Sequence, residues 1–242
     1  GAIANFNLQG DIRVLNGSVI STDNIGNGNG TQLNLKGDRL IMTNGSLISN
    51  SVFGSGNGGQ TTIQTKLIQM TGQDAFGGGN LLLADTGSSG NSGGINIKTE
   101  RMILQDGALI AAGSFASGSS GLVDITASKS IELTGRSDNW ATGIYSDLLE
   151  GTGSGKDKGI KINTPQLIVQ DGAIITTGNF QTVERNNQIF NPGTGEPGNI
   201  DIKTVDLRLL NGGGISTNAN TERGGNIIIN TQTLVALNNS DI

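Results

Sequence analysis

Acidic residues on outward strand positions are the first candidates for chemistry in this chain. Asp124 and Asp201 fall on equivalent strands two repeats apart, a separation of about 10 Å. Two carboxylates about 5–10 Å apart in a sugar groove are what a glycosidase needs. No aromatic platform lies near either residue in sequence, and solvated strand positions account for both. Phosphate chemistry has two formal matches. Gly54-Ser55-Gly56-Asn57-Gly58-Gly59 fits G-x-G-x-x-G, but a strand, Thr61–Thr65, follows where a dinucleotide site needs a helix N-terminus. Gly151-Thr152-Gly153-Ser154-Gly155-Lys156-Asp157 has one residue too few between its framing glycines, and Asp157 replaces the Mg-binding hydroxyl. Asn16-Gly17-Ser18 and Asn44-Gly45-Ser46 satisfy the glycosylation sequon, for which a turn is sufficient explanation. The chain has no His and no Cys, which removes the commonest general base and every thiolate metal site. No catalytic residue, cofactor or metal is expected, and no enzymatic activity.

The elements that carry these residues repeat. An alternating strand, a second strand, Asn-Gly or Asp-Gly, then small-x-Ile recurs as Leu40-x-Met42-x-Asn44-Gly45-Ser46-x-Ile48 and Leu167-x-Val169-x-Asp171-Gly172-Ala173-x-Ile175. Aligning Leu35, Ile63, Ile97, Ile125, Ile162, Ile202 and Ile229 gives steps of 28, 34, 28, 37, 40 and 27 residues. The basal unit is therefore about 28 residues, with insertions. Ile160-Lys161-Ile162-Asn163-Thr164 puts isoleucine on one face and polar residues on the other. Three short strands per unit, joined by glycine-rich corners (Gly is 40 of 242 residues), predict an all-β, right-handed parallel β-helix of about eight coils. Aliphatic columns fill it, since aromatics are only 3%. The residue before each turn glycine predicts a ladder of Asn16, Asn44, Asp106, Asp171, Asn211 and Asn238. A repeat of about 28 residues does not match the nonapeptide calcium β-roll.

Residues 1–242 read as a single β-helix segment, expected to be a fragment of a longer exported chain. Departures from the basal unit are where binding would sit. Insertions are predicted near 72–93, 135–158 and 178–197. The second holds the only Trp and the only Tyr. The last two are expected to leave adjacent coils at one corner, which would bring Arg136, Trp140, Tyr145, Glu184, Arg185 and Phe190 into one ligand or partner patch. Alternatively, these aromatics fold back over apolar strand surface.

The Gly-Asn-Ile-x-Ile-x-Thr strand, the Leu-x-Leu-x-Asn-Gly strand and the Gly-x-Gly-x-Gly-Gly connections resemble the repeats of filamentous-haemagglutinin-like exoproteins, most closely the cyanobacterial type. The resemblance spans nearly the whole chain and implies a secreted structural and adhesive repeat module of a Gram-negative-type bacterium, placed outside the cell or on its surface. It also implies an outer-membrane two-partner transporter as a partner of the parent protein. The family's Asn-Pro-Asn-Gly-Ile secretion motif has no match, because Asn191-Pro192 is followed by Gly193-Thr194. The transporter-recognition segment is therefore expected outside this chain. Glycans or cell-surface receptors are the expected ligands. A net charge of −5 with no basic cluster speaks against nucleic acid, and no apolar run approaches a membrane span. A carbohydrate-active β-helix enzyme (polysaccharide lyase or glycosidase-like) and a passive polysaccharide-binding module are the alternatives.

Overall fold

A strand with an apolar residue at every second position buries one face, and a series of such strands can bury those faces against one another by coiling. The computed structural model describes residues 1–147, 158–178, 195–219 and 223–242, with the backbone alone of 183–185 and 188–190. It is a parallel β-helix with no helix among the described residues. First strands of eight coils form one ladder, from Ile3–Asn7, Gln32–Lys36 and Thr61–Gln64 to Ile227–Asn230. Third strands form a separate seven-stranded sheet, from Val19–Ser21 to Gly214–Asn218. The rod thus makes about seven full turns. Leu35, Ile63, Ile97, Ile125, Ile162, Ile202 and Ile229 pair in that order, as the repeat alignment requires.

In coils 4 to 7 the first and second strands are not separate. They run together as Ile95–Gln105, Val123–Thr134, Ile160–Gln170 and Ile200–Leu210. In coils 4, 6 and 7 the threonine that ends the first-strand motif ties down the bend, whereas coil 5 has Ala127 there and passes the bend through a register shift. Thr99, Thr164 and Thr204 each donate Oγ1 to the carbonyl two residues on, at 3.0, 3.2 and 3.2 Å. At these three bends a side chain satisfies the backbone carbonyl just past the corner. Pro165 sits at that bend, where the ladder steps from the Thr164–Thr204 pair to Gln166–Asp206 and no bond is lost.

The interior is a set of aliphatic columns. Ile125, Ile160, Leu167, Val169 and Ile175 are among its fully buried members. Burying such a side chain contributes about 1.5–3 kcal/mol. Beside the Ile48–Leu82–Ile110 column the third strands also turn polar residues inward, and these close the next corner. Asn50 Nδ2 donates to the carbonyls of Thr31 and Gly59, both at 2.9 Å. Thr177 and Thr217 reach Gly198 and Gly225 in the same way, at 2.8 and 2.9 Å. Outside, at the first bend, charges alternate from coil to coil as Asp38, Lys66, Glu100 and Lys129, with ion pairs Lys66–Asp38 and Lys129–Glu100. Hydrogen bonding to Asp38 raises the pKa of Lys66. Pairs this exposed favour the register but add little stability.

Candidate functional site

Two corners carry the larger departures from the basal coil; the bend between first and second strands is one residue longer in coil 5. The first joins second to third strands and is normally a tight Asx-Gly turn. Asn16, Asn44, Asp106, Asp171, Asn211 and Asn238 all have φ between 50° and 56°, and the glycines that follow the first five are also positive. Both turn residues are therefore left-handed, which explains the Asn/Asp-Gly pair. Asn44 Nδ2 donates to Asn16 Oδ1 at 2.8 Å, and Asn211 to Asp171 and Asn238 to Asn211 at 2.9 Å. The expected ladder exists in two stretches, interrupted at coils 3 and 5.

Coils 3 and 5 are opened there by Gln73–Gly79 and Arg136–Ala141. Their interruption is repaired from the far side. Buried Asn80 accepts the Ser46 N–H at 3.0 Å and donates to the carbonyl of Thr71 at 2.9 Å. Thr142 accepts the Gly107 N–H at 2.8 Å and donates to Thr134 O at 2.9 Å. The two inserted loops meet across the turn of coil 4, where Asn139 Nδ2 donates to Phe76 O at 3.2 Å. Trp140 is half-buried, and its indole N–H donates to Gly107 O at 2.6 Å.

Tyr145 lies in the third strand Gly143–Asp147, not in a loop. It is half-buried, and its hydroxyl donates to Ala141 O at 3.1 Å. Burial pushes its phenol well above the ordinary range; the carboxylate of Asp147 adds to this, and the guanidinium of exposed Arg136 opposes it. Arg136, Trp140 and Tyr145 are thus neighbours, and both aromatics are half-buried with their polar atoms bonded to backbone carbonyls. The segment 178–197 begins at the end of the third strand Ile174–Gly178, and residues 179–182, 186–187 and 191–194 lie outside the described residues. Val183–Arg185 pairs antiparallel with Gln188–Phe190 as a backbone hairpin. The side chains of Glu184, Arg185 and Phe190 lie outside the described residues, as do 148–157 and the P-loop-like stretch within them.

The second corner joins third to first strands. Across coils 1 to 4 it is built from glycine-rich loops stacked flush. A Cβ on Gly56 would meet Gly28 O at 2.0 Å, and one on Gly90 would meet Gly56 O at 1.9 Å. Only glycine allows that approach, so Gly54–Gly59 is a stacked corner and not a phosphate loop. Asn29, Asn57 and Asn91 form a second amide ladder, each Oδ1 accepting the N–H of the next coil at 3.1, 3.0 and 2.9 Å. Residues 80–93 stack in register on the coil below, so the extra residues of the 72–93 region are those at Gln73–Gly79.

Two outward columns on this side were not legible beforehand. One alternates Asp23, Ser51, Asp85, Gly113 and Asp147, as the backbone bonds Asn24–Ser51, Val52–Asp85, Thr86–Gly113 and Ser114–Asp147 require. Asp23 Oδ1 accepts the Ser51 N–H at 2.7 Å, and Asp85 Oδ1 the Gly113 N–H at 2.6 Å. Asp85 is 8% exposed. Burial raises its carboxyl to about 6, against the Gly113 hydrogen bond and with a small push from Asp23. The other column is Ile25, Phe53, Gly87 and Phe115. Its three side chains are 85%, 56% and 40% exposed.

Farther along, Lys158, Glu196, Asn199, Arg223 and Asn226 line a cleft of about 840 Å³ at the same corner. Asp124 and Asp201 stand two coils apart on the first sheet, as expected, but Lys161 lies between them in register. Among the described residues no three acidic, His or Cys side chains are grouped to hold a metal ion. No protein-family model matches the chain, and no curated protein or solved structure matches it either.

Proposed function

We propose that this β-helix is a structural and adhesive repeat module of a secreted bacterial surface exoprotein. It is a rod that holds the third-to-first corner out towards a cell-surface or matrix ligand. One observation carries this best: the strands stay in register over eight first-strand rungs, while length variation is confined to corners. A scaffold whose columns are invariant and whose corners vary is organised for presentation rather than for a single catalytic centre. The resemblance of the repeats to filamentous-haemagglutinin-like exoproteins supports export through an outer-membrane two-partner transporter and a role outside the cell.

The test is retention of the purified chain on an array of polysaccharides and host or matrix glycans and proteins, followed by assay of each hit for cleavage. Retention without turnover is expected. Turnover of a bound glycan would replace this function with that of a carbohydrate-active enzyme. Retention on nothing would leave the rod as a passive spacer and overturn adhesion by this segment.

A further inference from the structure

We propose that the outward column Ile25–Phe53–Gly87–Phe115 is a binding track for a neutral glycan chain lying along the rod axis, an inference that rests on the adhesive function above. Phe53 and Phe115 are among the few aromatics of a chain with only 3% of them. Both are turned to solvent on coils 2 and 4. Their backbones are fixed by N–H bonds to Asn24 O and Thr86 O, each 2.8 Å. Two rungs separate their backbones by about 10 Å. Gly87 stands on the rung between.

The absent side chain at 87 shapes the track. A Cβ there would lie 2.9 Å from Phe53 Cδ1, so the ring occupies the space that a side chain would take. The ring lies over the backbone of coil 3 while 56% of the residue stays exposed. Apolar rings flanked by hydroxyl and amide groups fit the C–H faces and hydroxyls of a sugar. Apart from Phe53, Phe115, Asp23, Asp85 and Gln60, the surrounding loops, 22–31, 50–60, 84–94 and 112–122, are made of Gly, Ser, Asn and Thr with a few aliphatic residues.

Charge chooses the class of glycan. Those four loops contain no Lys or Arg, and their only ionisable side chains are Asp23 and Asp85. A uronate- or sulfate-bearing chain would meet the exposed carboxylate of Asp23 without a compensating cation, whereas a neutral chain asks only for hydrogen-bonding groups. A second copy of this protein is the other possible occupant of an exposed apolar column, and the test separates the two.

The experiment titrates neutral hexasaccharides of glucose, N-acetylglucosamine and mannose, and their uronate and sulfated counterparts, into the chain by calorimetry. The same series is run on Phe53→Ala/Phe115→Ala and on Gly87→Ala, with thermal melts and sedimentation on each. At least one neutral hexasaccharide should bind, and the double variant should weaken it at least about tenfold while Tm holds. Gly87→Ala, which displaces the Phe53 ring, should weaken it less. Three results overturn the track: preference for the anionic series, neutral binding unchanged in the double variant, or an oligomer that the double variant dissolves. Retention on the array that survives the double variant sinks the track alone and leaves adhesion standing. Loss of all retention by the wild-type chain sinks both.

Discussion

At the corner between second and third strands, Trp140 packs half-buried against the rod and ties its indole to Gly107 O. At the corner between third and first strands, Phe53 and Phe115 face solvent in a column with Ile25. The difference follows from how each corner satisfies its backbone. An inserted loop at the first corner opens a tight turn and orphans its polar groups, so Asn80, Thr142 and Trp140 must point inward to pair them. Flush glycine loops at the second corner satisfy one another through stacked carbonyls and the Asn29–Asn57–Asn91 ladder. Their side chains are left over for the outside.

The sharpest break of this contrast is a methyl group at the flush corner. Gly56→Ala places a Cβ 2.0 Å from Gly28 O, backbone against backbone. The two coils must part, with an expected loss of at least about 3 kcal/mol. Ser55→Ala, one residue away and exposed, should change stability by less than about 0.5 kcal/mol. Chemical denaturation of both reads the difference. Equal effects would mean that the loops do not stack, and the account of this corner would fall.

Much of this architecture is readable from period and spacing. Alternation of Ile with polar residues placed Ile162 between Ile125 and Ile202, and that pairing is present. The Asn-Gly phrase located the turn, though not that the Asn itself adopts positive φ. The site was far less legible, for a physical reason. Trp140 and Tyr145 stand out because they are rare, but rarity does not say which way a side chain points. Phe53 and Phe115 look unrelated at a separation of 62 residues. They share a face only because steps of 34 and 28 residues, through Gly87, each close one turn. The column of Asp23, Ser51, Asp85, Gly113 and Asp147 was hidden by the same uneven steps.

Asp85 offers a pH test of the flush corner. Its carboxyl is raised to about 6 in the folded chain, against 3.8 for the ordinary group. The folded state therefore holds more protons between those two values. Stability should rise as pH falls from 7 to about 4 and level off below that, an acid-favoured contribution of roughly 2–3 kcal/mol. Asp85→Asn keeps an oxygen to accept the Gly113 N–H and removes the charge. At pH 7 it should be more stable than the wild type by up to that amount, and near pH 4 the two should coincide. Denaturation midpoints across this range decide it; a variant that is less stable at pH 7 would mean the carboxylate is held by a compensating charge.

The smallest effect tests the comparison most directly, because it asks one aromatic to be structural and nothing more. Trp140→Phe retains a ring at the opened corner but removes the N–H that Gly107 O accepts at 2.6 Å. The carbonyl of buried Gly107 losing its donor costs about 1 kcal/mol, a fall in Tm of about 2–4 °C for a chain of this length. Glycan retention should not change, since this residue faces a different corner from Phe53 and Phe115. Together with Phe53→Ala/Phe115→Ala, which should lose retention and keep Tm, the variant forms a crossed pair. If instead Trp140→Phe loses retention at unchanged Tm, the opened corner is the binding face and the exposed phenylalanines are bystanders. The two corners then exchange roles, because stability and binding are read on each variant independently and no general weakening of the rod produces that pattern.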